Sequence, residues 1–198
     1  IHHPDMLWRQ HARTAPTLTQ RNLVKRAGEE NRQDRLEFLF TLNPKLKTET
    51  ALTETYGDAA HRGYVDLMRW LDTIEKADSK RLSNAFLRAC SSGNIASLKF
   101  LLSRGVDANL KNAKGLVEAL HSDKGDAADF LLRQGARMQD TEREHQDTPP
   151  LLFRALRQQR LNVAKALLLH GADPFARHDR ETPRDICQRQ GLEKLGDL

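Results

Sequence analysis

Apolar residues recur along the chain in a fixed order that is typical of two short amphipathic helices. The clearest example is residues 85–109, AFLRACSSGNIASLKFLLSRGVDAN. From Ala89, a glycine follows four residues later, an apolar residue nine later, two more at eleven and twelve, and a second glycine at sixteen. Positions nine, eleven and twelve share one face of a helix. The segment is therefore predicted to be a helix pair, with one glycine between the helices and another after the second helix.

The same order recurs along most of the chain at a nearly constant interval. The small residue from which it is counted, here called the anchor residue, recurs at intervals of 32, 30, 30, 36 and 32 residues: Ala27, Ala59, Ala89, Ala119, Ala155 and Cys187. One helix pair cannot bury its apolar face alone, so neighbouring pairs are expected to stack into one continuous core. With a period of about 33 residues and two helices per unit, residues 22–198 resemble the ankyrin repeat family.

The resemblance implies an all-α fold, namely an ankyrin-repeat solenoid of stacked antiparallel helix pairs with short hairpin fingers. Residues 1–21 match no repeat and are interpreted as an N-terminal cap or extension, in which Trp8 and Leu18 cover the open end of the first unit. Residues 22–198 are interpreted as the ankyrin-repeat domain, with units at approximately 22–48, 49–78, 79–108, 109–140 and 141–176 and a C-terminal cap at 177–198. Because the chain starts with Ile1 rather than methionine, we expect a processed or truncated product.

Several positions depart from the glycine pattern or indicate where helices begin. Three residues replace the glycine between the helices and are expected to form strained turns: Asn31, Asp123 and Gln159. Asn43 replaces the closing glycine of the first unit and is expected to be left-handed, because asparagine tolerates that conformation well. Glu75 departs from the pattern at the same place in the second unit. The expected N-cap residues are Asn22, Asn84 and Thr182, and Pro183 after Thr182 suits a first helical turn.

The formal net charge of +5 at pH 7 comes mostly from the start of the chain. Residues 1–26 hold five basic residues against one acid, Asp5, whereas residues 27–198 hold 27 basic and 26 acidic residues. A nucleic-acid-binding domain is expected to carry a basic stripe on its folded body, so nucleic acid is not the favoured partner. No run of about 18 apolar residues is present, so no membrane-spanning helix is expected.

The longest interval between anchor residues contains a polar segment, residues 137–148, RMQDTEREHQDT. It has no apolar period and is predicted to be a loop. In the ankyrin family such a loop is the hairpin finger at the concave edge, where insertions gather and binding occurs. The alternative is a solvated loop that is tolerated because the entropic cost of loop closure rises slowly with length.

The two cysteines, Cys90 and Cys187, are expected to be unpaired. They lie three units apart, so their separation greatly exceeds the Cα distance limit of about 7 Å for a disulfide. Two unpaired thiols slightly favour a reducing compartment such as the cytoplasm. A periplasmic or secreted protein is left open, because a segment removed from the start of the chain would not be seen.

The sequence shows none of the motifs that indicate an enzyme or a cofactor site, such as a glycine-rich phosphate loop, paired metal ligands or hydrolase and kinase signatures. Ser91 and Ser92, with His61 and His121 on neighbouring units, allow a Ser–His interpretation, but no acid is placed to orient the base. We therefore expect no catalytic residue, no metal and no cofactor. Three further histidines lack a fixed scaffold for a metal: His2, His3 and His11.

The resemblance implies a non-enzymatic module that binds a folded protein or an exposed peptide, rather than a small molecule or a membrane, in a concave groove of first helices and finger tips. The predicted binding residues of the first helices are His61, Arg62, Ser91, Ser92, His121, Ser122, Arg157, Gln158 and Arg189. Those of the fingers are Lys80, Arg81 and Lys111. The surface is expected to run from acidic at Glu29 and Glu30 to basic at the last unit, which suits an acidic patch on the partner. An inhibitor or immunity-type binder of one specific protein is favoured, and an adaptor or secreted effector that tethers or masks host proteins is the alternative.

Overall fold

The computed structural model describes residues 4–142 and 148–192, which form an all-α fold that is 72% helical and contains no β-strand. The twelve α-helices of this part of the chain are α1 (Pro4–Thr14), α2 (Thr17–Glu29), α3 (Gln33–Leu42), α4 (Glu49–Arg62), α5 (Val65–Ile74), α6 (Ser79–Ser92), α7 (Ile95–Ser103), α8 (Leu110–His121), α9 (Gly125–Arg133), α10 (Leu151–Arg157), α11 (Leu161–Leu169) and α12 (Pro183–Arg189). Two 3-10 turns, Pro44–Leu46 and Met138–Glu142, lie between them. Among the described residues, no helix has the length and apolar character needed to cross a membrane.

The helices stack in the order that the anchor residues predict. The first helices α2, α4, α6 and α8 pack against one another in turn, α10 packs against α12, and the second helices α9 and α11 pack against each other. All six anchor residues are buried, none more than 4% exposed, and they belong to one continuous apolar core. The prediction of an all-α solenoid of stacked helix pairs is confirmed.

The first helices approach one another closely where small residues face a neighbouring unit. At Gly115 in α8, an added Cβ would stand only 3.0 Å from both Cys90 Sγ and Phe86 Cε1 in α6. Real Cβ atoms rarely come that close to other heavy atoms, so a larger side chain would force α6 and α8 apart. The same close packing buries Cys90 and Phe86 completely.

The turns between paired helices take the left-handed conformation whether or not they contain glycine. Gly63 and Gly93 have φ values of 85° and 79°, which glycine adopts without steric cost. The three residues that replace glycine also have positive φ, at 54°, 50° and 54°: Asn31, Asp123 and Gln159. The predicted strain at these turns is therefore confirmed, because a residue with a side chain is disfavoured in this region.

Asp123 offsets this strain by capping a helix of the next unit. Its carboxylate accepts hydrogen bonds from the backbone N–H of Asn162 at 3.1 Å, from Asn162 Nδ2 at 2.9 Å and from the backbone N–H of Val163 at 3.2 Å. These two amides lie in the first turn of α11, where backbone donors have no partner within the helix. Asp123 therefore ties the fourth unit to the fifth.

The prediction that Asn43 is left-handed is wrong. Its φ of −141° and ψ of 90° are extended, because a following proline, here Pro44, disfavours helical conformations in the residue before it. The Asn43 side chain donates to Gln20 Oε1 at 2.9 Å. Glu75, at the same place in the second unit, is also extended, so the first two units end without the left-handed residue that closes the later ones.

Of the three predicted N-caps, only Thr182 is confirmed. Its side chain accepts from the backbone N–H of Asp185 while the Asp185 carboxylate accepts from the Thr182 N–H, which is a capping box with proline in the first turn. Asn22 lies inside α2 and Asn84 lies inside α6, so both of these predictions are wrong. The cap of α6 is Asp78, which begins the helix more than a turn earlier, and α2 already starts at Thr17, ahead of the predicted boundary after residue 21.

The N-terminal helix packs on the second helix of the first unit. Trp8 meets Phe38 edge-on with ring centroids 5.9 Å apart, and the guanidinium of Arg35 lies over the Trp8 ring. Hydrogen bonds from Arg32 and Arg35 hold the pKa of the Asp5 carboxyl in α1 below its ordinary value. The expectation that Leu18 also covers this end is wrong, because its side chain is 71% exposed.

The inserted segment between the fourth and fifth units is only partly a loop. Residues 138–142 form a 3-10 turn that packs against α8 and α10, so the predicted irregular loop is wrong for this part. Asp140 and Thr141 are buried there, each 4% exposed, and Arg137 Nε donates to Asp140 Oδ2 at 2.8 Å. The rest of the predicted finger, residues 143–147, lies outside the described residues.

Candidate functional site

The turns of three consecutive units line a polar groove of about 660 Å³, here called the turn groove. Its lining residues come from the second, third and fourth units: His61, Arg62, Tyr64, Ser91, Ser92, Ser122 and Lys124. Five of them belong to the twelve residues predicted as a binding surface. The repeat explains this grouping, because stacking places equivalent positions of consecutive units side by side.

The local fold places each of these side chains near the junction of two antiparallel helices. α4 ends at Arg62 and α6 ends at Ser92, while Tyr64 and Lys124 are the N-cap residues of α5 and α9. At each junction the negative end of one helix dipole lies within a few residues of the positive end of the next. The two partial charges oppose each other, so the side chains largely determine the electrostatic character of the groove.

Hydroxyl groups occupy the middle of the turn groove. Ser91 Oγ and Ser122 Oγ are 3.2 Å apart and share a hydrogen bond, while Ser92 Oγ donates to the backbone carbonyl of Ala89 at 3.1 Å. No hydrogen bond in the described part of the chain joins these serines to a histidine. The Ser–His pairing considered from the sequence is therefore not the arrangement found; His61 lines the same groove, and the exposed His121 ends α8.

The cations of the turn groove have no ion-pair partner in the part of the chain that the structure describes. Arg62 and Lys124 form no salt bridge within the described residues, and no carboxylate is among the residues that line the groove. The Lys124 stem lies on Gly93, where an added Cβ would stand 3.0 Å from Lys124 Cδ. The groove thus presents two uncompensated positive charges, one from each of two units.

Arg157 and Arg189, the predicted basic end of the surface, both pair with Glu181, and Arg157 also lies 3.8 Å from Asp179 Oδ2. Arg157 Nη2 lies 3.3 Å from Glu181 Oε2, and Arg189 Nη1 lies 2.5 Å from Glu181 Oε1. Glu181 belongs to a short hairpin closed by a backbone bridge with His178, which is the one such finger among the described residues. The adjacent Gln158 is exposed. Both arginines expected to provide free positive charge here thus have salt-bridge partners within the chain.

At the predicted acidic end, Glu30 also has salt-bridge partners. Glu30 accepts from Arg26 at 2.7 Å and from Arg35 at 3.0 Å, and the hydrogen bond from Arg26 lowers the pKa of the Glu30 carboxyl. The expected run from acidic to basic along the surface stays a prediction. Arg62 and Lys124, which form no salt bridge within the described residues, lie in the middle of the stack.

The assignment of Lys80 and Arg81 to a finger is wrong, because both lie in the first turn of α6. Lys80 is exposed, but Arg81 is only 4% exposed, and its guanidinium pairs with Glu75 at 2.6 Å and bonds Thr53 Oγ1 at 3.3 Å. Its surroundings make it a structural residue. Lys111 is exposed near the start of α8, with a left-handed φ of 49°.

Both cysteines are free and buried, as predicted. Burial raises the pKa of the Cys90 thiol and of the Cys187 thiol. Both thiols are therefore protonated at neutral pH, and a protonated thiol is a poor nucleophile and a poor metal ligand. The described residues contain no group of three or more His, Cys, Asp or Glu side chains placed to hold a metal ion; His2 and His3 lie outside those residues.

Two groove residues, Tyr64 and Lys124, are missing from the sequence-based prediction. Each stands five residues after its anchor residue, directly behind the left-handed turn position. The prediction used only the positions two and three residues after the anchor. Extending the same count to position five would have found both residues.

The fold and the groove define a helical repeat protein that presents its turns as one continuous surface. Residues 86–178 match the family model for ankyrin repeats in three copies. This match confirms the resemblance to the ankyrin repeat family drawn from the anchor residues. Ankyrin repeats are protein–protein interaction modules and are typically not enzymes. No curated protein matches the chain.

Proposed function

We propose that the chain is a binding module for one specific protein, and that the turn groove is where an acidic patch of that partner binds. The observation that carries this proposal is the convergence of Arg62 and Lys124 with three serine hydroxyls in one groove that no carboxylate lines. An acidic group placed there gains two cations that form no salt bridge within the described residues. Cations that already have partners, such as Arg157, contribute less to the affinity for an acidic group, because their salt bridge must first be broken.

The mechanism we propose is steric, as in an inhibitor or immunity-type partner that covers a functional surface of its target. A stacked solenoid suits this role because its groove residues are fixed by buried helices before binding. Less conformational entropy is then lost when the complex forms. An adaptor or secreted effector would use the same surface, but it would tether or mask several proteins rather than one.

To test the proposal, a partner protein is first captured from the source organism and purified. The affinity of the chain for this partner is then measured in a binary complex. Arg62→Glu is expected to weaken binding by about 10-fold or more, because a charge reversal places like charges against each other. Lys76→Glu is the matched control. Lys76 is exposed on the connection between α5 and α6, away from the groove, so the same change of net charge should leave the affinity within about twofold.

Both variants should unfold at the wild-type temperature, since neither side chain has an ion pair within the described residues. If Arg62→Glu binds as tightly as the control, the partner does not use the turn groove. A single stoichiometric partner supports the inhibitor or immunity role. Several weak partners that compete for the groove favour the adaptor role instead.

A further inference from the structure

We infer that the acidic group held by the turn groove is a phosphorylated side chain of the partner protein. This inference rests on the proposed function and adds the chemistry of the bound group. A phosphate monoester carries about −1.5 to −2 charge near pH 7 and three strong acceptor oxygens. A carboxylate carries one charge and two acceptor oxygens, so one arginine fork is enough to satisfy it.

The donors of the groove exceed what one carboxylate needs. Arg62 brings a planar guanidinium with five N–H donors, and Lys124 brings an ammonium with three. Ser91 and Ser122 have two hydroxyl protons, of which their mutual hydrogen bond uses one. The other proton is free to donate to a bound oxygen. Two full charges and an additional hydroxyl donor match a dianion with three oxygens better than a single carboxylate.

These donors come from three consecutive units and line one groove. Arg62 comes from the second unit, Ser91 from the third, and Ser122 and Lys124 from the fourth. The volume of about 660 Å³ leaves room for the backbone that carries the phosphate. Tyr64, which is half-buried against the core, adds an aromatic wall that such a segment can contact.

Two acids close in sequence to Lys124 and Arg62 are already held by other partners. The Asp123 carboxylate accepts from Asn162 and from the Val163 amide, and the Asp58 carboxylate accepts from Arg88. A bound phosphate would meet the two free cations without a competing carboxylate in the lining.

The test uses labelled degenerate peptides with a central phosphoserine, and matched peptides with serine or glutamate at the same place, titrated with the full chain in an anisotropy assay. We expect the phosphorylated peptides to bind at least about 10-fold more tightly than either matched set, since hydrogen bonds to charged groups are worth that much. Arg62→Gln and Lys124→Gln should each remove most of this preference. Lys165→Gln is the control, because Lys165 is exposed on α11 outside the turn groove.

Three results would overturn the inference: no binding of the phosphorylated peptides, equal binding of all three sets, or a preference that survives both groove substitutions. Tighter binding of a short DNA or of anionic lipid vesicles through the same residues would also overturn it, because the phosphate would then not come from a protein. Phosphatase treatment of the captured partner separates the two proposals. If the untreated and treated partner bind equally but Arg62→Glu weakens both, the proposed function stands and the phosphate inference fails.

Discussion

Replacing Asp123 by glycine is expected to destabilise the protein, whereas the same replacement at Gln159 is expected to stabilise it. Both residues stand in the turn between paired helices, with φ of 50° and 54°, where the repeat pattern calls for glycine. A left-handed residue with a side chain costs roughly 1–2 kcal/mol relative to glycine. Glycine also makes the unfolded chain more flexible, which costs about 0.4–1 kcal/mol. The net gain from replacing a strained residue by glycine, when its side chain bonds nothing, is thus about 0.5–1 kcal/mol.

The two positions differ in what their side chains bond. Asp123 accepts three hydrogen bonds from the start of α11, and losing a cap of this kind costs about 0.5–2 kcal/mol. Its negative charge at a helix N-terminus adds about 0.3–1 kcal/mol. Aspartate also tolerates positive φ better than glutamine does, so less strain is relieved. We expect Asp123→Gly to lower the free energy of unfolding by about 1–2 kcal/mol and Gln159→Gly to raise it by about 0.5–1 kcal/mol.

Thermal and urea unfolding, followed by circular dichroism, measure both variants. For a chain of this size, 1 kcal/mol corresponds to about 2–4 °C in Tm, so the two variants should differ by several degrees in opposite directions from the wild type. Asp123→Asn keeps an acceptor and a left-handed tolerance, and it should fall between Asp123→Gly and the wild type. If both glycine variants are stabilised alike, the hydrogen bonds that Asp123 accepts from α11 contribute nothing to stability, and the reasoning is refuted.

Three further predictions concern buried or paired side chains. Because Arg81 is buried, Arg81→Met should lower the free energy of unfolding, measured in urea, by about 1–2 kcal/mol. An unchanged midpoint of urea unfolding would mean that Arg81 is a surface residue. Gly125→Ala should lower the free energy of unfolding by about 1–3 kcal/mol, because the added Cβ would stand 2.6 Å from the Asn162 carbonyl oxygen. A Tm equal to that of the wild type would contradict this close contact. A hydrogen bond from His170 lowers the pKa of Asp129, so the stabilisation it gives is present above the unfolded pKa of about 4 and lost as pH falls further. Asp129→Asn should therefore be less stable than wild type at about pH 6, and the difference should shrink steadily as the pH is lowered below about 4; a difference that stays constant would refute the coupling.

The stacking order of the units could be predicted from the sequence because it depends on positions that repeat. Each anchor residue lies where only a small side chain fits between helices. The structural role of Ala59 or Ala119 can therefore be predicted from the sequence of its own unit. The strained turn at Asp123 could be predicted for the same reason, since the glycine slot is fixed by counting. What counting cannot show is that the Asp123 carboxylate caps a helix about forty residues later.

The candidate site was only partly predictable, because burial and pairing of charged residues depend on other units. Arg81 looks like a surface residue in the sequence, and it is buried only because Thr53 and Glu75 meet it after folding. Arg157 and Arg189 look like unpaired cations in the sequence, and both pair with Glu181 on the finger after folding. The repeat period predicts the position of each residue along the stack. Which group the charged end of its side chain contacts depends on the tertiary structure.

Hydrogen exchange of the chain with and without its partner tests most directly whether the turn groove is the binding surface. The groove account predicts that binding slows exchange of the backbone amides at the turns of the second, third and fourth units, near Gly63, Gly93 and Lys124. Amides of the hairpin at His178–Glu181 should exchange at the same rate in both samples. Protection confined to that hairpin or to the second helices, with no change at the three turns, would contradict the account.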